Sequence, residues 1–313
     1  MEAEEDKHSF EDLQNVMDLA TSSVVTLTQT TRVVDALRSM VDHNFRKIPV
    51  VEEDTGKLRG LISATDIVSF LGGGPKRKIV KERFGGDLAA AINAGVKEIM
   101  ETDVVAIEDT KTWPDALELM VENDVGGCPV VDEERRVVGI ITERDILKFL
   151  AAHTDLRGRV NFYMSKNVLT ANFDDSIEDI MRTMISKGLR RVPIMNENVF
   201  AGLITTREIL RYFAQESNNS LMKKTEILEE PINNILKNPN LLTYKETLFC
   251  DPSDRIANVS QVMLEKNYGV ALVGDKEEKI EGILTEKDIM RFLHTKIYLP
   301  SWWKNSKNSK NQE

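Results

Sequence analysis

The chain has 313 residues, of which 41% are hydrophobic and 29% are charged, and its formal net charge is −10. This composition is typical of a soluble globular protein. No apolar run approaches the roughly 20 residues that a helix needs to cross a bilayer, and the acidic N-terminus does not resemble a secretory signal. We therefore expect a cytoplasmic protein without membrane contact, and the acidic balance argues against nonspecific binding of nucleic acid.

Cysteines and histidines indicate neither a metal site nor a catalytic site. Cys128 and Cys250 each lie in an apolar stretch, which predicts two buried thiols in a reducing cytoplasm, with one disulfide as the alternative. The four histidines are scattered without the spacing of metal ligands. Because no phosphate-loop or nucleophile motif occurs either, we expect a protein that is not an enzyme.

A seven-residue motif, which we call the phrase, occurs four times in the sequence. It consists of glycine, two apolar residues, Ser or Thr, two further residues and an acid. The four copies run from Gly60 to Asp66, from Gly139 to Asp145, from Gly202 to Glu208 and from Gly282 to Asp288. A helical pattern with a methionine in register precedes each phrase, at Met40, Met120, Met184 and Met263. A strand start lies 16 residues before each methionine, at Val24, Val104, Val168 and Thr247. The chain is therefore an internal repeat.

One repeat predicts a small mixed module of order β-α-β-β-α. In the first copy the predicted strands are 24–27, 48–51 and 58–62, with helices around Met40 and over 67–71. A module of about 55 residues is near the lower limit for an independent core. We therefore expect each sheet to be buried against a neighbouring module.

The spacing of the phrases predicts which modules pair. Successive acids are 79, 63 and 80 residues apart, a rhythm that indicates duplication of a two-module unit. We expect modules at 13–72, 97–153, 154–214 and 232–297, linkers at 73–96 and 215–231, and tails at 1–12 and 298–313. In the first linker Gly72-Gly73-Gly74 is interpreted as connecting chain and 87–94 as one short helix. Residues 13–155 and 156–297 should be separable halves.

The repeated phrase, the Pro-Val-Val strand and the element order together resemble the CBS (cystathionine-β-synthase) domain family over about residues 13–297. The resemblance implies an α+β fold with two pseudo-two-fold pairs, called Bateman modules, that form a flat disc. The layout is similar to that of the gamma subunit of AMP-activated protein kinase. In this family the clefts between paired sheets bind adenosine ligands, with ribose on the acid of the phrase and phosphate on basic residues.

The resemblance assigns ligand contacts to the Ser/Thr and acid of every phrase. These are Ser63 and Asp66, Thr142 and Asp145, Thr205 and Glu208, and Thr285 and Asp288. A carboxylate accepts two hydrogen bonds from a cis-diol, which suits ribose. The same residues also form a capping box at a helix start, a purely structural role that we expect Glu208 to fill better than an aspartate would.

Basic residues that would hold phosphate are unevenly distributed among the copies. Arg46-Lys47 and Arg190-Arg191 precede the central strand of the odd copies, whereas the even copies have Gly126-Gly127 and Gly269-Val270 there. We expect each pair to contain one basic wall and one wall of small residues. Arg144, Arg207 and Lys287, each directly before its acid, are further candidates for phosphate contacts.

These features predict a regulatory protein that binds AMP, ADP or ATP and signals to an unidentified protein partner or through its own oligomer. S-adenosylmethionine is an alternative ligand, because it carries adenosine but no phosphate. Two other functions stay open: an interaction scaffold with empty clefts, and a nucleic-acid-associated regulator that uses the basic segment 76–83. Trp302-Trp303 in the polar C-terminal tail is a candidate docking element.

Overall fold

The computed structural model describes residues 14–153, 156–215, 226–237, 247–275 and 279–295. It contains four three-stranded sheets of identical topology. In each sheet a short first strand runs parallel to the central strand, which pairs antiparallel with the third. The predicted α+β fold with four modules is confirmed. The predicted docking element Trp302-Trp303 lies outside the described residues.

Each module follows the predicted order of elements. Module 1 contains β1 (Leu27–Thr28), α1 (Val33–Asp42), β2 (Lys47–Val51), β3 (Leu58–Ser63) and α2 (Ala64–Val68). Two helices precede module 2, α3 (Arg77–Phe84) and α4 (Leu88–Ala91). Module 2 contains β4 (Ile107–Glu108), α5 (Trp113–Glu122), β5 (Gly127–Val131), β6 (Val137–Thr142) and α6 (Glu143–His153).

The second half repeats this arrangement. Module 3 contains β7 (Ala171–Asn172), α7 (Ile177–Ser186), β8 (Arg191–Asn196), β9 (Val199–Thr205) and α8 (Thr206–Ala214). Two short helices follow, α9 (Glu226–Glu229) and α10 (Asn233–Leu236). Module 4 contains β10 (Leu248–Cys250), α11 (Ile256–Glu265), β11 (Val270–Gly274), β12 (Ile280–Thr285) and α12 (Glu286–His294).

Strand β1 is shorter than the predicted strand 24–27, because the chain before it contacts the neighbouring module instead. Thr21 forms a bridge to Ile140 of β6, and Glu101 forms one to Leu61 of β3. Strand β1 therefore begins at Leu27, after the chain has crossed from the sheet of module 2 to that of module 1. These bridges join modules 1 and 2 through their sheets, as the spacing of the phrases predicts.

Modules 3 and 4 are joined in the same way. Ser165 bridges to Ile283 of β12. Side chains from both sheets form a separate apolar cluster that includes Phe200 and Leu203 of module 3 and Val270 and Leu272 of module 4. The expectation that each small sheet is buried against a neighbour is confirmed.

Helices connect the two pairs. Helix α8 packs on α1 and α2, and α12 packs on α5 and α6. One apolar core is consequently shared by modules 1 and 3 and another by modules 2 and 4. The four register methionines are at most 2% exposed within these cores, in agreement with their predicted role as core residues: Met40, Met120, Met184 and Met263.

The first linker is an ordered part of this helical interface. The short helix predicted over 87–94 is present as α4, whereas Gly72 and Gly73, interpreted as linker, are helical. The glycines continue α2 as a π-helical segment, Ser69–Gly73, that packs on α7. A side chain on Gly73 would place its Cβ 2.6 Å from the carbonyl oxygen of Met181, so only glycine permits this approach. Helix α3, which the sequence analysis missed, buries Val80 and ends at Gly85 in the left-handed conformation.

Cys128 and Cys250 are free and buried. Burial raises the pKa of each thiol to about 12. Among the described residues, no helix combines the length and apolar character that crossing a bilayer requires.

Candidate functional site

The acid of each phrase lies at the start of a helix, where the strand before it ends. In modules 1, 2 and 4 one carboxylate oxygen, Oδ2, accepts hydrogen bonds from the backbone N–H and the hydroxyl of the Ser or Thr three residues earlier. The N–H distances are 2.7 Å for Ser63–Asp66, 2.8 Å for Thr142–Asp145 and 2.8 Å for Thr285–Asp288. The capping role is therefore present, and it leaves the second oxygen, Oδ1, for other partners.

Glu208 in module 3 does not cap its helix as predicted. Its Oε2 accepts a hydrogen bond from the Thr205 hydroxyl, but the Thr205 side chain accepts no capping hydrogen bond from a backbone N–H of the helix. The longer side chain directs its other oxygen to Arg211, whose Nη1 donates to Oε1 over 3.2 Å. The expectation that Glu208 is the better capping residue is wrong.

The second oxygen of each aspartate has a different environment. Asp66 Oδ1 accepts a hydrogen bond from Lys76 Nζ at 2.6 Å. Asp288 Oδ1 accepts one from the Ser165 hydroxyl at 2.9 Å. Asp145 Oδ1 accepts none from the described residues. The four acids of the repeated phrase are thus not equivalent, and Asp145 retains an oxygen for a ligand.

Two clefts open beside Asp145 and Glu208. The Asp145 cleft lies between modules 1 and 2, has a volume of about 360 Å³ and includes Val25, Pro49 and Ile140 among its apolar residues. The Glu208 cleft lies between modules 3 and 4 and has a volume of about 270 Å³. Thr142 lines the former and Thr205 the latter.

Both clefts end at a shared group of arginines, which we name the arginine cluster. It consists of Arg46, Arg144, Arg190, Arg191 and Arg207. Three of its members, Arg46, Arg190 and Arg207, line both clefts, although Arg46 belongs to module 1 and the other two belong to module 3. The structure thus brings together the predicted basic residues of three modules.

Two buried glutamates of the even modules face the cluster. Glu286 accepts from Arg144 Nε at 2.6 Å and lies 3.4 Å from Arg46 Nη1, while Glu143 lies 3.9 Å from Arg190 Nη2. Cations outnumber these carboxylates, and two buried guanidinium nitrogens, Nη2 of Arg144 and Nε of Arg207, have no hydrogen-bond partner. Because a buried donor without a partner is costly, an additional acceptor at these nitrogens would stabilise the cluster.

The pKa shifts show the same imbalance. Burial, together with Arg46 and Arg190, lowers the pKa of Arg191 to about 9, and burial together with Arg46 lowers that of Arg207 to about 10. Burial opposes ionisation of Glu286, but Arg46, Arg144 and Arg191 outweigh it and lower its pKa. For Glu143 burial prevails over Arg190, and the pKa is raised. A bound anion would relieve the repulsion among these arginines.

The expected basic and small-residue walls are only partly within one pair. Lys47 Nζ donates to the carbonyl oxygen of Gly127 at 2.9 Å, within its own pair. Arg46 instead reaches module 4 and lies against Gly269. If a larger residue replaced this glycine, its Cβ would be 2.7 Å from Arg46 Nη2. Consecutive residues of an extended chain point to opposite sides, so one residue of the doublet stays within the pair and the other crosses.

The second doublet divides in the same way. Arg191 lies against Gly269 of its own pair, and Arg190 crosses to Gly126 of module 2. Arg46 and Arg190 thus line the cleft of their own pair and also the cleft of the other pair, so the basic wall is shared between the two pairs.

Of the remaining candidates, Arg144 and Arg207 join the arginine cluster but Lys287 does not. Lys287 Nζ pairs with Asp124 at 2.6 Å, on the interface of modules 2 and 4, and lines neither cleft. Glu143 and Glu286 were missed by the sequence analysis. Their signal is the residue after the Ser or Thr of the phrase, which is Ala or Thr in the odd copies and glutamate in the even copies.

The basic segment 76–83 is largely neutralised by acids. Lys76 pairs with Asp66 and Glu101, and Arg83 pairs with Glu98. Lys78 lies 3.4 Å from Glu82. No group of three or more His, Cys, Asp or Glu residues with metal-binding geometry occurs among the described residues.

Comparison with known proteins identifies the family. The family model of the CBS domain matches residues 16–73, 96–152, 159–215 and 242–295. The uncharacterised protein MJ1225 of Methanocaldococcus jannaschii is 31% identical over 281 residues, which are 88% of this chain and 98% of the relative. A second relative, a 33.4 kDa protein encoded in a ribosomal RNA operon of Thermofilum pendens, is 32% identical over 83% of this chain and 84% of its own.

A solved structure has the same fold over most of the chain. The crystal structure of MJ1225, proposed to be an archaeal homologue of g-AMPK, superposes with a TM-score of 0.82 at 29% identity and covers 89% of this chain and 99% of its own. The chain therefore belongs to the CBS domain family and is a regulatory protein built from four CBS domains.

Proposed function

We propose that this protein binds AMP, ADP or ATP in the clefts beside Asp145 and Glu208, with the phosphates on the arginine cluster. The observation that carries the proposal is the excess of partly buried guanidinium groups over carboxylates at the point where the two clefts meet. Phosphate oxygens are the acceptors that arginine binds best, through charge-assisted hydrogen bonds.

The Asp145 cleft is the better adenosine site. Its volume falls within the range of small-molecule pockets. Val25, Pro49 and Ile140 offer apolar surface for a base, and Asp145 Oδ1 is available for a ribose hydroxyl. Arg190 at the inner end of the cleft would then bind phosphate.

The Glu208 cleft is expected to bind adenosine more weakly. It is smaller, and both oxygens of Glu208 are already engaged, by Thr205 and by Arg211. Affinity in this cleft would depend more on phosphate, which Arg191 and Arg207 can bind.

The same cluster disfavours the alternative ligand S-adenosylmethionine. Its sulfonium carries a positive charge that would lie in a site where cations already outnumber carboxylates. An electrostatic penalty of this kind is substantial in a partly buried site. Nucleic acid binding through segment 76–83 is disfavoured because Lys76, Lys78 and Arg83 are each paired with an acid.

Regulation would follow from the position of the cluster between the pairs. Arg190 of module 3 faces Glu143 of module 2, and Arg46 of module 1 faces Glu286 of module 4. A phosphate that takes over these arginines weakens both contacts. Binding would therefore favour a different arrangement of the two pairs, which a partner protein or a second copy can detect.

Calorimetry with adenosine, AMP, ATP and S-adenosylmethionine tests the proposal. Asp145→Ala should weaken adenosine, AMP and ATP alike, because all three carry the same cis-diol. At ligand near 100 times Kd, each occupied site should add about 2.7 kcal/mol to the free energy of unfolding. Absence of binding by all adenosine phosphates at millimolar concentration would refute the proposal and favour a scaffold with empty clefts.

A further inference from the structure

A lysine from the segment between modules 1 and 2 occupies the place beside Asp66 that corresponds to the cleft beside Asp145, and we name this place the Asp66 cleft. Lys76 Nζ donates to Asp66 Oδ1 at 2.6 Å, to Glu101 Oε1 at 2.5 Å and to the carbonyl oxygen of Ile99 at 2.5 Å. An ammonium group has three N–H donors, so Lys76 is fully satisfied. The corresponding position beside Asp145 holds no such cation from the described residues.

Asp66 has both carboxylate oxygens engaged as a result. Oδ2 accepts the capping bonds from Ser63, and Oδ1 accepts from Lys76. A ribose hydroxyl would have to replace the ammonium with a neutral donor, and charge-assisted hydrogen bonds are roughly twice as strong as neutral ones. A displaced Lys76 would also leave Glu101 and Asp66 near each other without a cation between them.

Glu101 helps to hold Lys76 beside Asp66. Each bridge to the neighbouring sheet places one residue at a corresponding position beside an acid. Glu101 lies at this position for Asp66, Thr21 for Asp145 and Ser165 for Asp288. Among these three, only Glu101 is charged, and only its cleft receives a lysine. Ser165 donates a single neutral hydrogen bond to Asp288, and its hydroxyl can rotate away.

We propose that Lys76, held by Glu101, is a specificity-determining residue that excludes the ribose cis-diol from Asp66, so that the Asp66 cleft takes no adenosine ligand. The inference rests on the proposed function for the identity of the ligand. It predicts which of the four acids bind ligand on the basis of what each acid already contacts.

The double variant Lys76→Ala with Glu101→Thr makes the surroundings of Asp66 match those of Asp145. No lysine then contacts the acid, and a threonine takes the position that Thr21 has beside Asp145. Calorimetry with adenosine and with AMP should detect one more binding site per chain in this variant than in the natural protein. Adding Asp66→Ala to the double variant should abolish the extra site. In the natural protein, Asp66→Ala alone should leave both the number of sites and their affinities unchanged.

The single variant Asp66→Ala keeps the inference testable even if the double variant fails to fold. A loss of one site on Asp66→Ala in the natural protein would overturn it, because Asp66 would then bind ligand in spite of Lys76. If the natural protein binds adenosine beside Asp145, a folded double variant without an extra site would overturn it as well. Failure of the proposed function appears differently, as an absence of binding in the natural protein and an unchanged result on Asp145→Ala.

Discussion

Gly126 of module 2 lies against the guanidinium group of Arg190 of module 3, and a methyl group on Gly126 would come within 2.9 Å of Arg190 Nη1. The same methyl group would lie 2.9 Å from Oε2 of Glu143. The glycine thus leaves the space in which a cation of one pair meets a carboxylate of the other. Its role is to admit Arg190 to the Asp145 cleft.

Gly126→Ala should therefore reduce phosphate affinity without reducing adenosine affinity. The methyl group meets the ends of flexible side chains, so Arg190 can move aside at small cost, and we expect the melting temperature to change little. AMP should bind about 10-fold more weakly if the displaced arginine loses one charge-assisted bond. Calorimetry with AMP and adenosine measures the difference, and equal losses for the two ligands would show that Arg190 does not contact phosphate.

Arg207→Ala should weaken AMP and ATP by about 1.5–3 kcal/mol, roughly 10- to 150-fold, and leave adenosine nearly unaffected. Arg207 lines both clefts and has a buried Nε without a partner. Since Arg207 lines both clefts, the loss of affinity should appear at every phosphate-binding site. Arg182→Ala is the matched control, because Arg182 is exposed on α7 and pairs with Glu178. Comparable losses in both variants would indicate a general effect of net charge.

The module and its pairing could be predicted from the sequence because both depend on local periodicity and on spacing along the chain. Met40 and its counterparts lie in the cores as predicted, and the sheets pair in the predicted order. The contact between Arg190 and Glu143 could not be predicted, since it depends on how the second pair packs on the first. Lys76 also escaped prediction, because only the fold of α3 and the segment before it brings the lysine back to Asp66.

Residues 13–155 and 156–297, expressed separately, should form dimers instead of monomers. Each half contributes helices to both shared cores, so a half alone exposes large apolar side chains such as Met181 and Met184, which are fully buried in the intact chain. Re-exposing one such side chain costs about 1.5–3 kcal/mol, and a second copy of the half can cover the same face. Light scattering after size exclusion would give the mass, and a folded monomer at micromolar concentration would contradict this expectation.

The two buried glutamates should affect stability with opposite pH dependence. The pKa of Glu286 is lowered in the folded protein by Arg46, Arg144 and Arg191 against the effect of burial, from an ordinary value of 4.5. Its charged form therefore stabilises the fold above that value, and the stabilisation is lost as the pH falls through the lowered pKa. Glu286→Gln should be clearly less stable than the natural protein at about pH 7, and the gap should narrow at about pH 4.

Glu143 has the opposite sign. Burial raises the pKa of Glu143 above its ordinary value of 4.5. The protonated carboxyl therefore stabilises the fold at low pH, and this stabilisation is lost as the pH rises through the raised pKa. Glu143→Gln should then be at least as stable as the natural protein at about pH 7, and the natural protein should gain relative to the variant as the pH falls. Urea unfolding midpoints of both variants across this range provide the comparison. Parallel pH profiles for Glu143→Gln and Glu286→Gln would mean that the arginine cluster does not distinguish the two carboxylates, and the imbalance of charge assigned to it would be incorrect.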